Sequence, residues 1–236
     1  MSSVAELRAT LDDIFKNRKM SENTDRLLEM ESFDIRLYAI YLIETYHYTS
    51  HNTKNQALVA CRSENLSTHY QKFCLHHAYE ECGHEYMALH DLNTLGHKFG
   101  ENDLSEPLPE TQALISYLYR TASHGNPYAR LGYSFWAESS YQYIGTTMKM
   151  LQGVFDLKDS QMTFYKAHSE IDKDHIKEVE DVLTRFVKTQ EDWQAVEDCM
   201  KMSLKLTGMM LDQVMGSYFE LIDGKSNRYD YLKVLL

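Results

Sequence analysis

Two histidines and an aspartate recur at helical spacing in the segment AHSEIDKDHIKE. His168, Asp172 and His175 are four and three residues apart, and such steps place three side chains on one face of an α-helix, one above another. Apolar residues lie beside the same stripe, so this face should point towards the core. A divalent cation would compensate the cost of burying a carboxylate between two imidazoles. The spacing therefore predicts a metal site, and the alternative is a hydrogen-bonded group on a wet surface.

Three other segments offer ligands of the same kind. HHAYEECGHEYMALH contains the Glu-x-x-His step of Glu81 and His84, a spacing used for metal binding inside helical bundles. FWAESSYQY places Glu138 beside aromatic residues, and Glu44 interrupts the apolar side of an earlier predicted helix. Carboxylates and imidazoles without a thiolate favour iron or manganese over structural zinc. Four predicted helices thus supply one metal centre.

The chain has more histidines than such a centre needs. It contains eleven histidines, whereas two metal ions that keep positions open for substrate need about six or seven protein ligands. We expect the surplus to donate hydrogen bonds, to pack in the core or to lie on the surface: His47, His51, His76, His77 and His90. Two questions stay open at this stage. His77 continues the stripe of Glu81 and His84, and Glu80 competes with Glu81.

The elements that must position these residues are helices. Three prolines and ten glycines in 236 residues leave few breaks, so the chain should run in long uninterrupted elements. We predict an all-α fold, a single-domain bundle of about seven helices over residues 1–236. The predicted helices lie near residues 3–18, 27–51, 56–62, 63–96, 110–121, 130–151, 159–189 and 192–221.

Charge and composition exclude several classes of protein. The 35 acidic and 24 basic residues give a formal charge of −11, which repels polyanions and argues against nucleic acid as a partner. No window has the roughly 18 apolar residues of a membrane span, and the first twenty residues lack the apolar core of a signal peptide. The four cysteines form no CxxC pair, so we expect them to be reduced and the protein to be cytoplasmic.

Four segments resemble the haem-oxygenase-like diiron oxidases and oxygenases, also described as iron-containing redox enzymes. They are ETYHYTSH (44–51), EECGHE (80–85) followed by NTLG, WAES (136–139) and HSEIDKDHI (168–176), and the resemblance spans residues 36–185. It implies a haem-oxygenase-like fold. It also implies that one iron is held by Glu81, His84 and His168, and the other by Glu138, Asp172 and His175. A carboxylate would bridge them. Glu44 would either match an extra carboxylate found in some N-oxygenating members or accept a hydrogen bond from a ligand.

The resemblance implies an O2-dependent, non-haem diiron enzyme. Its substrate would be a small amine, an amino-acid-derived compound or a fatty-acid-like compound, and the outcome N-oxygenation, oxidative decarboxylation or carbon–carbon cleavage. By analogy we expect a homodimer. Three arginines lie near the predicted core helices, and one of them could bind a substrate carboxylate: Arg36, Arg120 or Arg130. Five aromatic residues could line the substrate cavity: Tyr41, Tyr48, Phe135, Trp136 and Tyr141.

Two other functions fit parts of the pattern. A ferritin-like iron or redox protein without an organic substrate would use the same carboxylates, but it has no need of His168. A metal-free, thiaminase-like hydrolase on the same fold would leave the stripe of buried acids unexplained. Cage assembly would favour the first alternative, and full activity after chelation would favour the second.

Overall fold

The chain forms a layered bundle of helices, seen in a computed structural model that describes residues 3–236 except the side chains of residues 170–173. Within this range there are eleven α-helices and no strand, so the all-α prediction is confirmed and the estimate of about seven helices is wrong. The helices are α1 Val4–Lys16, α2 Glu22–Glu29, α3 Arg36–Thr49, α4 Asn52–Ala60, α5 Thr68–Glu80, α6 Glu85–Asn93, α7 Pro109–Ser123, α8 Leu131–Ser139, α9 Tyr141–Val154, α10 Thr163–Phe186 and α11 Gln190–Ile222.

The larger number of helices arises because three predicted helices are each interrupted. The helix predicted over 63–96 divides into α5 and α6 at a turn that contains Gly83, whose φ of +96° is a left-handed conformation. The helix predicted over 27–51 is broken after Met30, which is extended. The third break, at Ser140, separates α8 from α9. Apolar periodicity continues across such short breaks, so it does not reveal them.

The two longest helices organise the bundle. α11 contains 33 residues, a length of about 50 Å, and packs along α8, α7 and α3. It begins with a capping box in which Thr189 and Asp192 each accept a hydrogen bond from the backbone N–H of the other. α8 crosses α11 at very short range through Gly132, because a Cβ placed there would lie 2.0 Å from the carbonyl oxygen of Val196. Only glycine permits this crossing.

Two helices receive their N-terminal caps from acids that are distant in sequence, α7 from Glu44 and α10 from Asp91. The residues that precede α7 and α10 make no side-chain cap. Asp91 on α6 instead accepts hydrogen bonds from the backbone N–H groups of Thr163 (2.8 Å) and Phe164 (2.9 Å) at the start of α10. Asp91 is fully buried, and it therefore fixes the position of α10 against α6.

The core consists of two apolar clusters. One includes Leu11 and Phe135, and the other includes Ile40. α10 contributes to both, since Phe164 near its start packs against the second cluster and Val179 lies in the first. The histidines of α10 lie between these contacts. No described helix combines the length and apolarity needed to cross a bilayer.

Candidate metal centre

The turn between α5 and α6 carries the Glu-x-x-His pair. Glu81 directly follows α5 and His84 directly precedes α6, and both keep right-handed helical backbone angles on either side of Gly83. Oε1 of Glu81 lies 3.5 Å from Nδ1 of His84. The pair thus belongs to a turn between two helices, although its sequence spacing is that of a continuous helix.

Glu81, His84 and His168 form the first potential ligand group. One oxygen or nitrogen from each lies within 4.8 Å of the others, and the rings of His84 and His168 meet edge to face with centroids 4.8 Å apart. Nδ1 of His168 is 2.6 Å from the carbonyl oxygen of Phe164. Donation of the Nδ1 hydrogen to this oxygen leaves Nε2 as an unprotonated ligand. Burial lowers the pKa of His168, which also favours the neutral ring.

His77, Glu81, Glu138 and His175 form the second group, again with ligand atoms within 4.8 Å of one another. All four residues are buried. The two oxygens of Glu138 lie 3.2 Å from Nε2 of His77 and 3.3 Å from Nδ1 of His175. Glu81 belongs to both groups, so its carboxylate stands between the two sets of histidines.

The donor set fits divalent cations. Four buried imidazole nitrogens have no hydrogen-bond partner in the described structure: both nitrogens of His77, Nδ1 of His84 and Nδ1 of His175. Orphaned buried nitrogens are costly, yet three of these four, all except Nδ1 of His77, lie 3.2–3.5 Å from a carboxylate oxygen. A metal ion among them would satisfy these nitrogens and offset the charge of the acids.

Charge pairing stabilises the same residues when no metal is bound. Burial alone would raise the pKa of Glu138, but the imidazoles of His175 and His77 hold it well below its usual range. Burial alone would lower the pKa of His175, but Glu138, Glu81 and Glu80 raise it to about 9. The metal-free centre is therefore a set of ion pairs in which protons occupy the places available to cations.

Two neighbouring acids that the sequence left in competition have different positions. Glu81 lies inside the centre, whereas Oε2 of Glu80 lies 3.5 Å from Nε2 of His175, on the other edge of that ring. Nδ1 of His175 faces Glu138 and Glu81. Glu80 is thus placed to orient His175 from outside, as carboxylates commonly do for metal-bound histidines.

The structure brings together five of the residues predicted as ligands: Glu81, His84, Glu138, His168 and His175. Asp172 lies outside the described residues. Glu44 is elsewhere: its carboxylate accepts hydrogen bonds from Leu108 N (3.0 Å) and the Thr111 hydroxyl at the start of α7, and from the Tyr229 hydroxyl. The acid predicted as an extra metal ligand therefore serves as a helix cap, and it is fully buried in that role.

His77 was counted from the sequence among the histidines not needed as ligands, but it lies in the second potential ligand group. Its step of four residues to Glu81 was the signal for it. The other surplus histidines fulfil the expectation. His47 lies 2.7 Å from the carbonyl oxygen of Ser105, His51 lies 3.0 Å from the Tyr119 hydroxyl, and His76 and His90 are exposed.

A cavity of about 110 Å³ borders the centre. Four of the five aromatic residues predicted to line it do so: Tyr41, Tyr48, Trp136 and Tyr141. The fifth, Phe135, is fully buried in the apolar core. Glu81, Glu138 and His168 form part of the wall, so a molecule in this cavity would touch the potential metal ligands.

Comparisons with known proteins agree with this architecture. Residues 39–208 match the family model described as iron-containing redox enzyme. The chain resembles a domain of unknown function with a heme oxygenase-like fold from Shewanella denitrificans, at 43% identity and a TM-score of 0.84 over 95% of this chain and 94% of that one. It also resembles a TenA homologue from Pyrococcus furiosus, at 15% identity and a TM-score of 0.67 over 89% and 98% of the two chains. No curated protein matches the chain.

The fold and the buried histidine–glutamate group define a helical, heme oxygenase-like protein equipped to bind metal. The chain belongs to the family of iron-containing redox enzymes, since the match covers most of its length. The family and fold predicted from the four sequence segments are confirmed. Membership supports an oxidoreductase that uses iron.

Proposed function

We propose that the protein is a non-haem diiron oxidase or oxygenase that consumes O2. The observation that supports this most directly is the position of Glu81, whose carboxylate belongs to both ligand groups. A carboxylate shared by two sets of histidines is suited to bridge two cations. Bound ferrous ions would supply electrons for the reduction of O2.

The residues present divide into two sets of ligands. His84 and His168 would hold one ion together with Glu81, and His77, Glu138 and His175 would hold the other. The resemblance to the family adds Asp172 to the second set. Oxygen and nitrogen donors without thiolates suit iron or manganese, and the name of the family favours iron.

The chain itself orients the ligands and encloses the substrate. The carbonyl oxygen of Phe164 fixes the ring of His168, and Glu80 contacts the outer nitrogen of His175. Aromatic side chains form part of the wall of the adjoining cavity and would limit the access of water to a bound substrate. We propose a small amine, an amino-acid-derived compound or a fatty-acid-like compound as substrate, because the cavity combines polar groups beside the metal with apolar walls.

Iron loading tests this proposal. Purified protein is freed of metal, given ferrous iron without oxygen and then exposed to O2 while the visible spectrum is recorded. We expect two equivalents of iron per chain, a transient absorption after O2 is admitted, and loss of iron in the H168A and H175A variants. Wild-type protein with neither stoichiometric iron nor any transient would disprove the assignment.

The same preparation separates the alternatives. We propose a homodimer in solution, which size-exclusion chromatography would show as a particle of two chains. A cage of many chains that stores iron would instead identify a ferritin-like protein. Undiminished activity after chelation would identify a metal-free hydrolase.

A further inference from the structure

Three arginines were candidates for binding a substrate carboxylate, and their surroundings differ. Arg36 is already paired, since its Nε and Nη2 donate to the carboxylate of Asp34 at 2.8 and 2.7 Å. Arg120 is exposed on α7. Arg130, just before α8, is 3% exposed and forms no ion pair with any acid in the described part of the chain. Of these three arginines, Arg130 is the one that is buried and has no ion-pair partner among the described residues.

All the contacts of Arg130 are neutral. Its Nε donates to Oδ1 of Asn55 at 2.5 Å, and its Nη1 donates to Oγ of Ser134 at 2.8 Å. The guanidinium carbon lies 5.1 Å from the centre of the Tyr133 ring. Nη2 has no hydrogen-bond acceptor among the described residues. Arginine stays protonated in proteins, and an unpaired buried cation is strongly disfavoured. The carboxylate of Glu81 favours the charged guanidinium through space, but no described acid contacts it, so the guanidinium can accept a bound anion.

Arg130 borders the cavity at the candidate metal centre. Arg130 forms its wall together with Glu81, Glu138 and His168. A second, apolar cavity of about 520 Å³ between α1 and α11 shares Tyr41 and other wall residues with it. A ligand can therefore place an anionic group against Arg130 while its apolar part contacts the aromatic residues that the two cavities share.

From these contacts we propose that Arg130 binds the carboxylate of the substrate, so that the enzyme acts on an organic acid and discriminates against amines that lack an acid group. This inference rests on the proposed function, because the cavity is a substrate site only if the protein is the proposed enzyme. A singly charged carboxylate matches one guanidinium that keeps unused N–H groups on Nη1 and Nη2. A phosphate dianion would need further cationic partners, and Arg130 has none beside it in the described structure.

Binding of three matched probes tests the proposal. Hexanoate, hexanamide and hexylamine share one apolar chain and differ in charge, and their binding is measured by calorimetry on metal-free and metal-loaded protein. We expect hexanoate to bind to the wild-type protein in both forms, and to bind more than about ten-fold more tightly than the amide or the amine. Absence of saturable hexanoate binding, or equal binding of hexanoate and hexanamide, overturns the proposal.

Two variants remove the free charge in different ways. R130M deletes the guanidinium, and N55D places a carboxylate against its Nε so that the charge is neutralised in position. Each should weaken hexanoate binding about ten- to hundred-fold, whereas R120M on the exposed face should bind as wild type does. If R130M fails to fold, N55D alone tests whether the charge of Arg130 binds hexanoate. Undiminished hexanoate binding by a folded variant refutes the role of Arg130.

Metal stoichiometry keeps this test separate from that of the proposed function. Loss of hexanoate binding in R130M together with wild-type iron content supports both. If the wild-type protein binds no iron but its metal-free form still binds hexanoate through Arg130, the diiron assignment fails and the acid-binding site stands. If iron binds and hexanoate binding does not depend on Arg130, the acid-binding site fails and the diiron assignment stands.

Discussion

At the scale of single residues, two buried glutamates that look alike in sequence have different partners. Glu44 accepts hydrogen bonds from the N-terminus of α7 and from the Tyr229 hydroxyl. Glu81 lies among imidazoles instead. Both carboxylates are charged groups taken out of water, and each is compensated, Glu44 by hydrogen-bond donors and Glu81 by histidines or cations. What lies opposite the acid decides its role.

Replacing Glu44 by glutamine should affect stability and leave metal binding unchanged. E44Q keeps the shape of the side chain but turns one acceptor into a donor that faces other donors. We expect a loss of about 1.5–3 kcal/mol in the free energy of unfolding, measured by urea denaturation, with wild-type iron content. E29Q, at an exposed position of α2, is the control. Iron loss in a folded E44Q protein would return Glu44 to the ligand set.

His77 should bind metal, whereas its neighbour His76 should not. His77 is 2% exposed and both of its nitrogens lack hydrogen-bond partners in the described structure, and His76 is an exposed residue. We expect H77A to lose at least one of two iron equivalents and H76A to retain both, as measured by elemental analysis. Equal iron content in the two variants would show that His77 only packs in the core.

The sequence singled out most of the residues that the structure brings together because helical spacing is a local property. Glu81, His84, Glu138, His168 and His175 were all identified from steps of three and four residues or from an acid beside aromatic residues. Glu44 showed the limit of this reasoning. Its partners, Leu108 and Tyr229, are 64 and 185 residues away in sequence, so no local pattern reveals that the acid is already satisfied.

At the scale of helices, the start of α10 depends on an acid from another helix. Asp91 accepts three hydrogen bonds there, two from backbone N–H groups and one from the Thr163 hydroxyl. The sequence predicted a start near residue 159. The helix starts at Thr163, and its cap comes from α6.

Replacing Asp91 by asparagine should loosen the first turn of α10. We expect D91N to lower the free energy of unfolding by about 1–2 kcal/mol and to speed hydrogen exchange at the amides of Thr163 and Phe164. D181N, an exposed position on the same helix, should do neither. Unchanged exchange at these two amides in D91N would contradict the capping role.

The crossing of α8 and α11 should tolerate no side chain at Gly132. A methyl group there would meet the carbonyl oxygen of Val196 at 2.0 Å and the nitrogen of Met200 at 2.7 Å, and backbone atoms cannot rotate away. We expect G132A to cost about 3 kcal/mol. G153A, at a helical position with open space around it, should stabilise by about 0.5–1 kcal/mol. Thermal denaturation compares the two, and similar melting temperatures would refute this account.

At the scale of the whole molecule, metal should add stability without being required for folding. Two apolar clusters form the core independently of the centre, and ion pairs such as Glu138 with His175 occupy it when metal is absent. The metal-free protein should therefore remain folded, unlike small domains that a metal ion holds together.

Ferrous iron should raise the melting temperature of the metal-free protein. A ligand at a hundred times its Kd stabilises the folded state by about 2.7 kcal/mol, which corresponds to about 5–10 °C for each ion in a chain of this size. Calorimetry under anaerobic conditions measures the rise, and chelator should reverse it. We expect a smaller rise in H168A, and an equal rise in H168A would show that the ions bind elsewhere.

The turn at Gly83 makes the spacing of the first glutamate and histidine independent of the rest of the molecule. One residue inserted within a helix rotates every later side chain by about 100° and would disrupt its packing. The same insertion between Glu81 and His84 would lie in a connection, and α5 and α6 could each keep their contacts with α4 and α3. Related proteins can therefore differ in length at this point and still preserve both halves of the core. The turn is also the place to vary the distance between these ligands by design.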